Sequence, residues 1–150
     1  MQERFETFTV LINRISRSIR KIKIHEMADY NLRSVHVSCL YYLYADQGIT
    51  ATELCERCEE DKATISRALD FLEKEGYLLC QSKTTKRYKS PLFLTEKGQM
   101  VGKEIADKIA AVLDAISDSL TEQERTAFYR SLAIISESLE ALSAARERSE

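Results

Sequence analysis

The chain has 150 residues, a hydrophobic fraction of 44% and a formal net charge of −2, values that favour one domain and exclude a grossly basic protein. Its four glycines and single proline favour long helices over a loop-rich β fold. No apolar stretch approaches the roughly 18 residues of a membrane span, and residues 1–4 lack signal-peptide character. We therefore expect a cytoplasmic protein without a membrane partner, in which the four cysteines are reduced.

Two helices are predicted in the first third of the chain. Apolar residues recur at steps of three and four over residues 5–22, which indicates an amphipathic helix ending near His25. Residues 34–45 carry apolar side chains on most faces and predict a more fully buried helix that stops near Gly48.

Two capped helices follow. Thr50 and Glu53 form a capping-box pattern that begins a short third helix. Asp61 is placed to cap a fourth helix over residues 62–75, which Gly76 ends. The buried stripe of this fourth helix is predicted to consist of Ile65, Ala68, Leu69 and Leu72.

Two short strand-like runs, residues 77–80 and 92–94, flank a cationic segment. Pro91 cannot donate a hydrogen bond and is expected at an edge or a strand end. The segment between the runs contains four cations and no acid: Lys83, Lys86, Arg87 and Lys89.

Two long helices complete the chain. Thr95 is placed to cap the first, whose apolar stripe continues to Leu120. Thr121 and Glu124 form a second capping box that opens the last helix, with its apolar stripe reaching Leu142.

Charge is distributed unevenly. Residues 46–61 contain six acids and one cation, whereas residues 62–90 contain seven cations and three acids. A local positive zone in an acidic protein can attract a polyanion while the whole chain stays soluble.

A short helix, a tight turn and a capped helix with a polar, cationic face are typical of a helix-turn-helix, whose second helix enters the major groove of DNA. The hairpin behind it then forms a wing, whose tip meets the DNA backbone or the minor groove. A solvated loop is the alternative for this tip. The candidate DNA-binding residues are Lys62, Ala63, Thr64, Ser66, Arg67, Lys86, Arg87 and Lys89.

The sequence resembles the MarR family of winged-helix transcription regulators. The resemblance rests on Thr-Glu-Leu-Cys at 52–55, Asp-Lys-Ala-Thr-Ile-Ser-Arg at 61–67, the run from Leu69 to Leu78, and Leu-Thr-Glu-Lys-Gly at 94–98. Family wings often carry Asp-x-Arg near the tip, and this wing has no acid. Arg87 is therefore the candidate for the minor groove, with Lys86 as its rival.

The resemblance implies a mainly α fold with a small β wing. A winged helix-turn-helix at 34–98 would lie between helical dimerisation regions at 1–28 and 99–150. The apolar stripes of the long helices exceed what the winged helix can cover, which favours a homodimer over a coiled coil with another protein. A homodimer is predicted to bind two half-sites on double-stranded DNA, which together form a pseudo-palindromic operator. Repression is the commoner role in such families, and a protein-binding winged helix is the alternative function.

Regulation is also predicted from the resemblance. Relatives commonly bind a small aromatic or anionic effector between the dimer helices and the winged helix. The candidate lining residues here are His36, Tyr41, Tyr42 and Tyr44. Plain core packing is the alternative for these aromatic side chains.

None of the remaining motifs indicates an enzyme or a bound cofactor. No phosphate loop, nucleophile motif or carboxylate pair has a recognisable setting. Cys55 and Cys58 form a C-x-x-C pair without the second pair that zinc requires, so core packing is expected for them. A redox or metal switch is the alternative, with Cys39, Cys55, Cys58 and Cys80 as its candidate residues.

Overall fold

The computed structural model describes residues 2–79 and 89–148. Helix α1 is continuous through Gln2–Phe5, a π-helical segment Glu6–Leu11 and Ile12–Glu26, and a 3₁₀ turn Ala28–Tyr30 follows it. The later helices are α2 (Ser34–Ala45), α3 (Ala51–Cys58), α4 (Lys62–Lys74), α5 (Glu96–Ser117) and α6 (Glu122–Glu147). The predicted helices are confirmed, and their ends differ from the predicted ends by one or a few residues.

Local hydrogen bonds explain where four of these helices begin. Thr50 caps α3 and Thr121 caps α6 in capping boxes with Glu53 and Glu124. Asp61 Oδ1 accepts from the Thr64 backbone N–H at 2.7 Å at the start of α4. Thr95 Oγ1 accepts from the Gly98 N–H at 3.1 Å at the start of α5. Each cap satisfies helix amides that would otherwise lack a partner, which is worth about 1 kcal/mol.

Helix α2 begins with a side-chain cap that the sequence did not predict. The Arg33 backbone N–H donates to His36 Nδ1 at 3.1 Å. An imidazole nitrogen therefore takes the place of the Glu side chain in an ordinary capping box.

Three short extended segments pair beside the helices. Leu78 and Leu94 form an antiparallel bridge, and the Leu79 N–H donates to the Phe93 carbonyl at 2.9 Å. On the other side of the 92–94 segment, the Leu92 carbonyl accepts from the Gly48 N–H at 3.2 Å, and the Leu92 N–H donates to the Ile49 carbonyl at 3.0 Å. The predicted pairing of the two runs is confirmed for its described part, whereas the pairing with 48–49 was not predicted.

Contacts divide the chain into two compact units, Met1–Lys108 and Ile109–Glu150. In the first unit α2 packs against α1, α3 and α4. Its core is formed by apolar side chains from α2, α3, α4, the paired segments and the first turns of α5, among them Leu40, Leu54, Ile65, Leu69, Leu72, Leu92 and Ile105. The predicted regions 1–28, 34–98 and 99–150 stay predictions.

Large apolar side chains remain exposed in each unit. In the first unit most of them lie on α1 and include Phe8, Ile15, Ile19 and Ile22. In the second unit they lie on the end of α5 and on α6, and include Leu113, Ile116, Phe128, Leu132, Leu139 and Leu142. Within the described residues, no helix combines the length and apolarity that crossing a membrane requires.

Candidate nucleic-acid interface

A tight turn connects α3 to α4. Glu59 ends α3 in the left-handed region, with φ of 53°, and the Glu60 N–H donates to the Cys55 carbonyl at 3.1 Å. Asp61 immediately follows and caps α4. Because α3 and α4 also pack on each other and on α2, the direction of α4 is set by the core of the first unit.

The two faces of α4 differ in burial as the sequence predicted. Ile65, Ala68, Leu69 and Leu72 are buried, which holds the helix on the core. Lys62, Ala63 and Arg67 are exposed, and Thr64 and Ser66 are half-buried. All five candidate residues of α4 therefore share its N-terminal two turns and face away from the core.

Hydrogen bonds connect three side chains on this polar face. Thr64 Oγ1 donates to Asp61 Oδ2 at 3.0 Å, and Arg67 Nη2 donates to Thr64 Oγ1 at 3.4 Å. The backbone and hydroxyl hydrogen bonds from Thr64 hold the pKa of Asp61 below its usual range. The Asp61 carboxylate thus stays ionised and orients Thr64, which in turn restricts the Arg67 guanidinium.

The Leu-Thr-Glu-Lys-Gly string at 94–98 fastens the base of the predicted wing to the end of α4. Thr95 Oγ1 donates to the Gly76 carbonyl at 2.6 Å. Lys97 Nζ donates to the Glu75 carbonyl at 2.7 Å and lies 4.2 Å from the centre of the Tyr77 ring.

Gly98 completes this attachment by its lack of a side chain. A Cβ at Gly98 would lie 2.0 Å from the Tyr77 carbonyl oxygen, far inside van der Waals contact. The string therefore has a structural role, in which it fixes the two wing segments relative to the polar face of α4.

Only part of the predicted wing site can be located. Lys89 is described and exposed. Lys86 and Arg87 lie outside the described residues, as do Lys83 and Cys80.

Comparisons with known proteins agree with this arrangement. The MarR family model matches residues 30–87. The transcriptional repressor YetL of Bacillus subtilis is 24% identical over 83% of this chain and 76% of its own length. A MarR transcriptional regulator from Methanosarcina mazei has a similar structure, with 25% identity, a TM-score of 0.76, and coverage of 91% of this chain and 99% of its own.

The chain is similar to the MarR family over residues 30–87. A further solved structure is a putative MarR regulator from Listeria monocytogenes in complex with a 26mer DNA. That protein is 29% identical to this chain, covers 85% of each chain, and has a TM-score of 0.75.

His36, one of the predicted effector-binding residues of this chain, lies in the core. It is 6% exposed, and its ring stacks on Phe71 with centroids 4.1 Å apart and an interplanar angle of 4°. Burial, and secondly the Arg33 charge, lowers the pKa of His36. The accepting Nδ1 requires a neutral imidazole.

The three tyrosines of the predicted effector site are half-buried. Tyr41 and Tyr42 meet edge to face with centroids 5.2 Å apart. Tyr44 packs against α5, where a Cβ at Gly102 would lie 2.7 Å from Tyr44 Cβ. A cavity of about 450 Å³ in the first unit is lined by other residues: Tyr30, Glu96, Lys97, Met100, Val101 and Glu104.

The described cysteines are all free thiols. Cys39 is buried, and Cys55 and Cys58 are half-buried. Within the part of the chain that the structure describes, no three His, Cys, Asp or Glu side chains are arranged to hold a metal ion.

Proposed function

We propose that this chain is a MarR-family, sequence-specific repressor that binds a pseudo-palindromic operator on double-stranded DNA as a homodimer. The observation that carries the proposal is the polar face of α4. Its two N-terminal turns present cations and hydroxyls outward, while its opposite face is buried in the core. The Listeria relative bound to a 26mer DNA and the repressor YetL support the same function.

On this proposal α4 is the recognition helix. Arg67 is the leading candidate for reading a base, because a guanidinium can donate to guanine O6 and N7 together. Its contact with Thr64 restricts the side chain beforehand, which reduces the entropy lost on binding. Lys62, Thr64 and Ser66 would donate to phosphates or base edges near the helix N-terminus. The small side chain of Ala63 would let the α4 backbone come close to the DNA.

The wing supplies the second contact. Lys86, Arg87 and Lys89 would meet the DNA backbone, with Arg87 or else Lys86 in the minor groove. The contacts of Thr95, Lys97 and Gly98 with the end of α4 support this role. They couple the wing and the recognition helix, so that both can reach one DNA site.

The homodimer is proposed from the exposed apolar stripes in the two units. Contiguous apolar surface of this extent is unusual on a soluble monomer. A second copy provides matching stripes and a two-fold axis, which makes the interface isologous. Two recognition helices related by that axis would bind half-sites about one helical turn apart.

The regulatory part of the proposal is release by a small aromatic or anionic effector. The predicted lining residues are His36, Tyr41, Tyr42 and Tyr44, and the three tyrosines leave part of their surface accessible. Titration of operator complexes with benzoate-class acids tests this part. Operator affinity that no such acid changes would contradict it.

Selection of binding sites from a random duplex pool tests the DNA-binding proposal directly. The reduced full chain at near-physiological salt should enrich an inverted repeat. The matched control is the same chain with Lys62 and Arg67 both changed to Ala, which should give no enrichment. A folded, dimeric wild-type protein that enriches no sequence would overturn the proposal in favour of a protein-binding winged helix.

A further inference from the structure

The outer surface of α1 carries a run of cations that the proposed function does not use. Residues 7–25 contain five lysines and arginines and no acid, whereas the remaining residues carry a net charge of −7. The fifth of these cations, Lys23, is half-buried and donates to Ser38 Oγ on α2 at 3.1 Å. The other four are exposed and are called the α1 ridge below: Arg14, Arg17, Arg20 and Lys21.

The α1 ridge lies opposite the apolar stripe of the same helix. With 3.6 residues per turn, Arg17 is about 160° around the helix from both Ile15 and Ile19. Both isoleucines belong to the exposed stripe proposed for the homodimer, so a partner that covers the stripe would leave the ridge in solvent. Within the described part of the chain, no ridge residue forms a salt bridge, and the ridge therefore keeps its charge for a partner.

A membrane surface does not fit this arrangement well. An amphipathic helix that lies on a bilayer buries its apolar face at the boundary between headgroups and acyl chains. The ridge would then point into water, away from the anionic lipids, and the stripe could not also form the homodimer. The geometry favours a polyanion that the ridge can meet while the stripe is covered.

The charge spacing of duplex DNA matches the ridge. From Arg14 to Lys21 the helix axis rises about 10 Å, and each DNA strand carries one phosphate for about every 3.4 Å of duplex axis. A ridge lying along the duplex would therefore face about three phosphates of one strand. Most of the ridge cations are arginines, and a guanidinium can donate two parallel hydrogen bonds to one phosphate.

We propose that the α1 ridge is a second DNA-binding surface, which holds the phosphate backbone without regard to sequence and outside the half-sites proposed for α4. The inference rests on the proposed function only in that α4 brings DNA to the molecule. DNA held by α4 is at a high effective concentration for a second contact, so phosphate contacts that are weak one by one add to the affinity. Flanking DNA and a separate duplex offer the same phosphates, and the experiments below distinguish them.

The salt dependence of binding to a scrambled duplex tests the ridge. The ridge variant carries Arg14→Gln, Arg17→Gln, Arg20→Gln and Lys21→Gln, and glutamine keeps a high helix propensity. Each phosphate contact contributes about 0.9 to the slope of log K against log salt concentration, so the loss of about three contacts should reduce that slope by roughly 3. An unchanged slope overturns the proposal.

Two further variants separate the position of the charge from net charge and from folding. The control on α6 and its C-cap makes the same change in net charge and should keep the wild-type slope: Arg125→Gln, Arg130→Gln, Arg146→Gln and Arg148→Gln. A lysine variant keeps the ridge charge and should also keep the slope: Arg14→Lys, Arg17→Lys and Arg20→Lys. An equal loss of slope in the α6 control, or in the lysine variant, overturns the role of the ridge charge.

Operator duplexes of two lengths distinguish the sources of phosphate. If the ridge holds flanking DNA, adding flanks should strengthen wild-type binding, and the ridge variant should lose that gain. If the ridge holds a separate duplex, wild-type protein bound to an immobilised operator should capture a free scrambled duplex, and the ridge variant should not. Either result supports the proposal, and the absence of both overturns it.

The same measurements separate this inference from the proposed function. Lys62→Ala with Arg67→Ala should abolish operator selection and keep the part of the salt slope that depends on the ridge. A wild-type protein that shows this ridge-dependent slope but selects no sequence overturns the proposed function alone. Phosphatidylglycerol vesicles provide the last comparison. Vesicle binding that the ridge variant loses, with scrambled-duplex binding unchanged, overturns the proposal in favour of a membrane surface.

Discussion

Asp61, Thr64 and Arg67 form a short hydrogen-bonded chain of side chains on the exposed face of α4. The sequence could predict the first contact, because a cap and its amide partner lie three residues apart. The Arg67 contact also spans three residues, but it depends on a side-chain rotamer that spacing alone does not determine.

Arg67→Ala should relax specificity more than it weakens general affinity. Loss of a guanidinium that reads a guanine costs about 1–3 kcal/mol on the operator. Binding to a scrambled duplex should change much less. Fluorescence anisotropy with both duplexes measures the ratio, and Lys74→Ala, at the far end of α4, is the control. Equal losses on both duplexes would place Arg67 on phosphate and contradict base reading.

His36 should make stability depend on pH. Its pKa is lowered in the folded chain by burial and then by Arg33, so the unfolded chain takes up the proton first. Its contribution is complete above the usual histidine pKa of about 6.5, and it is lost as pH falls through the lower folded-state pKa.

Urea unfolding at pH 7.5 and 5.5 measures this effect. His36→Gln should lose less stability than wild type between the two values. The exposed His25 provides the matched control, since His25→Gln should keep the wild-type dependence. Parallel pH profiles for wild type and His36→Gln would show that the stacked imidazole does not titrate as inferred.

At the scale of elements, α4, the paired segments and the start of α5 act as one unit. The Tyr77 carbonyl accepts from the Thr95 N–H at 3.0 Å, which fixes its position. That carbonyl is the atom that a side chain at Gly98 would meet.

Gly98→Ala should destabilise the fold although alanine is the better helix former. Helix propensity would favour alanine by at most about 1 kcal/mol. Overpacking against a fixed backbone atom costs about 1–3 kcal/mol, so the clash should dominate. Urea unfolding measures the net change, and Gln99→Ala is the neighbouring control. An unchanged or higher unfolding free energy would mean that the Tyr77 backbone moves away from the added methyl group with little loss of stability.

Helices and wing segments differed in how far the sequence predicted them. Each helix combines a local cap with a stripe of period 3.6, and both signals lie within a few neighbouring residues. The pairing of Leu92 with Gly48 and Ile49 joins segments more than forty residues apart. No periodicity in either segment specifies that partner.

At the scale of the whole molecule, the exposed apolar residues of α1 are the main unsatisfied feature of the first unit. Ile15 is 52% exposed and Ile19 is 47% exposed. Side chains of this type are seldom aligned along a solvent-facing helix without a partner surface.

Ile19→Glu should dissociate the proposed homodimer and leave each chain folded. An uncompensated charge in an apolar interface costs about 3–5 kcal/mol, and two-fold symmetry introduces it twice. The dimer dissociation constant should therefore rise by at least about a hundredfold, measured by sedimentation equilibrium. Arg17→Glu adds the same carboxylate on the opposite, polar side of α1 and should leave the dimer intact. An unaffected dimer in Ile19→Glu would exclude this face of α1 from the interface.

The sequence by itself determined the helices, their caps, the buried stripe of α4 and the resemblance to the MarR family. These features depend on interactions within one or two helical turns, or on short motifs that carry them. Tertiary structure alone decided that Leu92 pairs with Gly48 and Ile49, that Gly98 faces the Tyr77 carbonyl and that His36 stacks on Phe71. Each of these contacts joins residues on different elements, and its geometry follows from how the core packs.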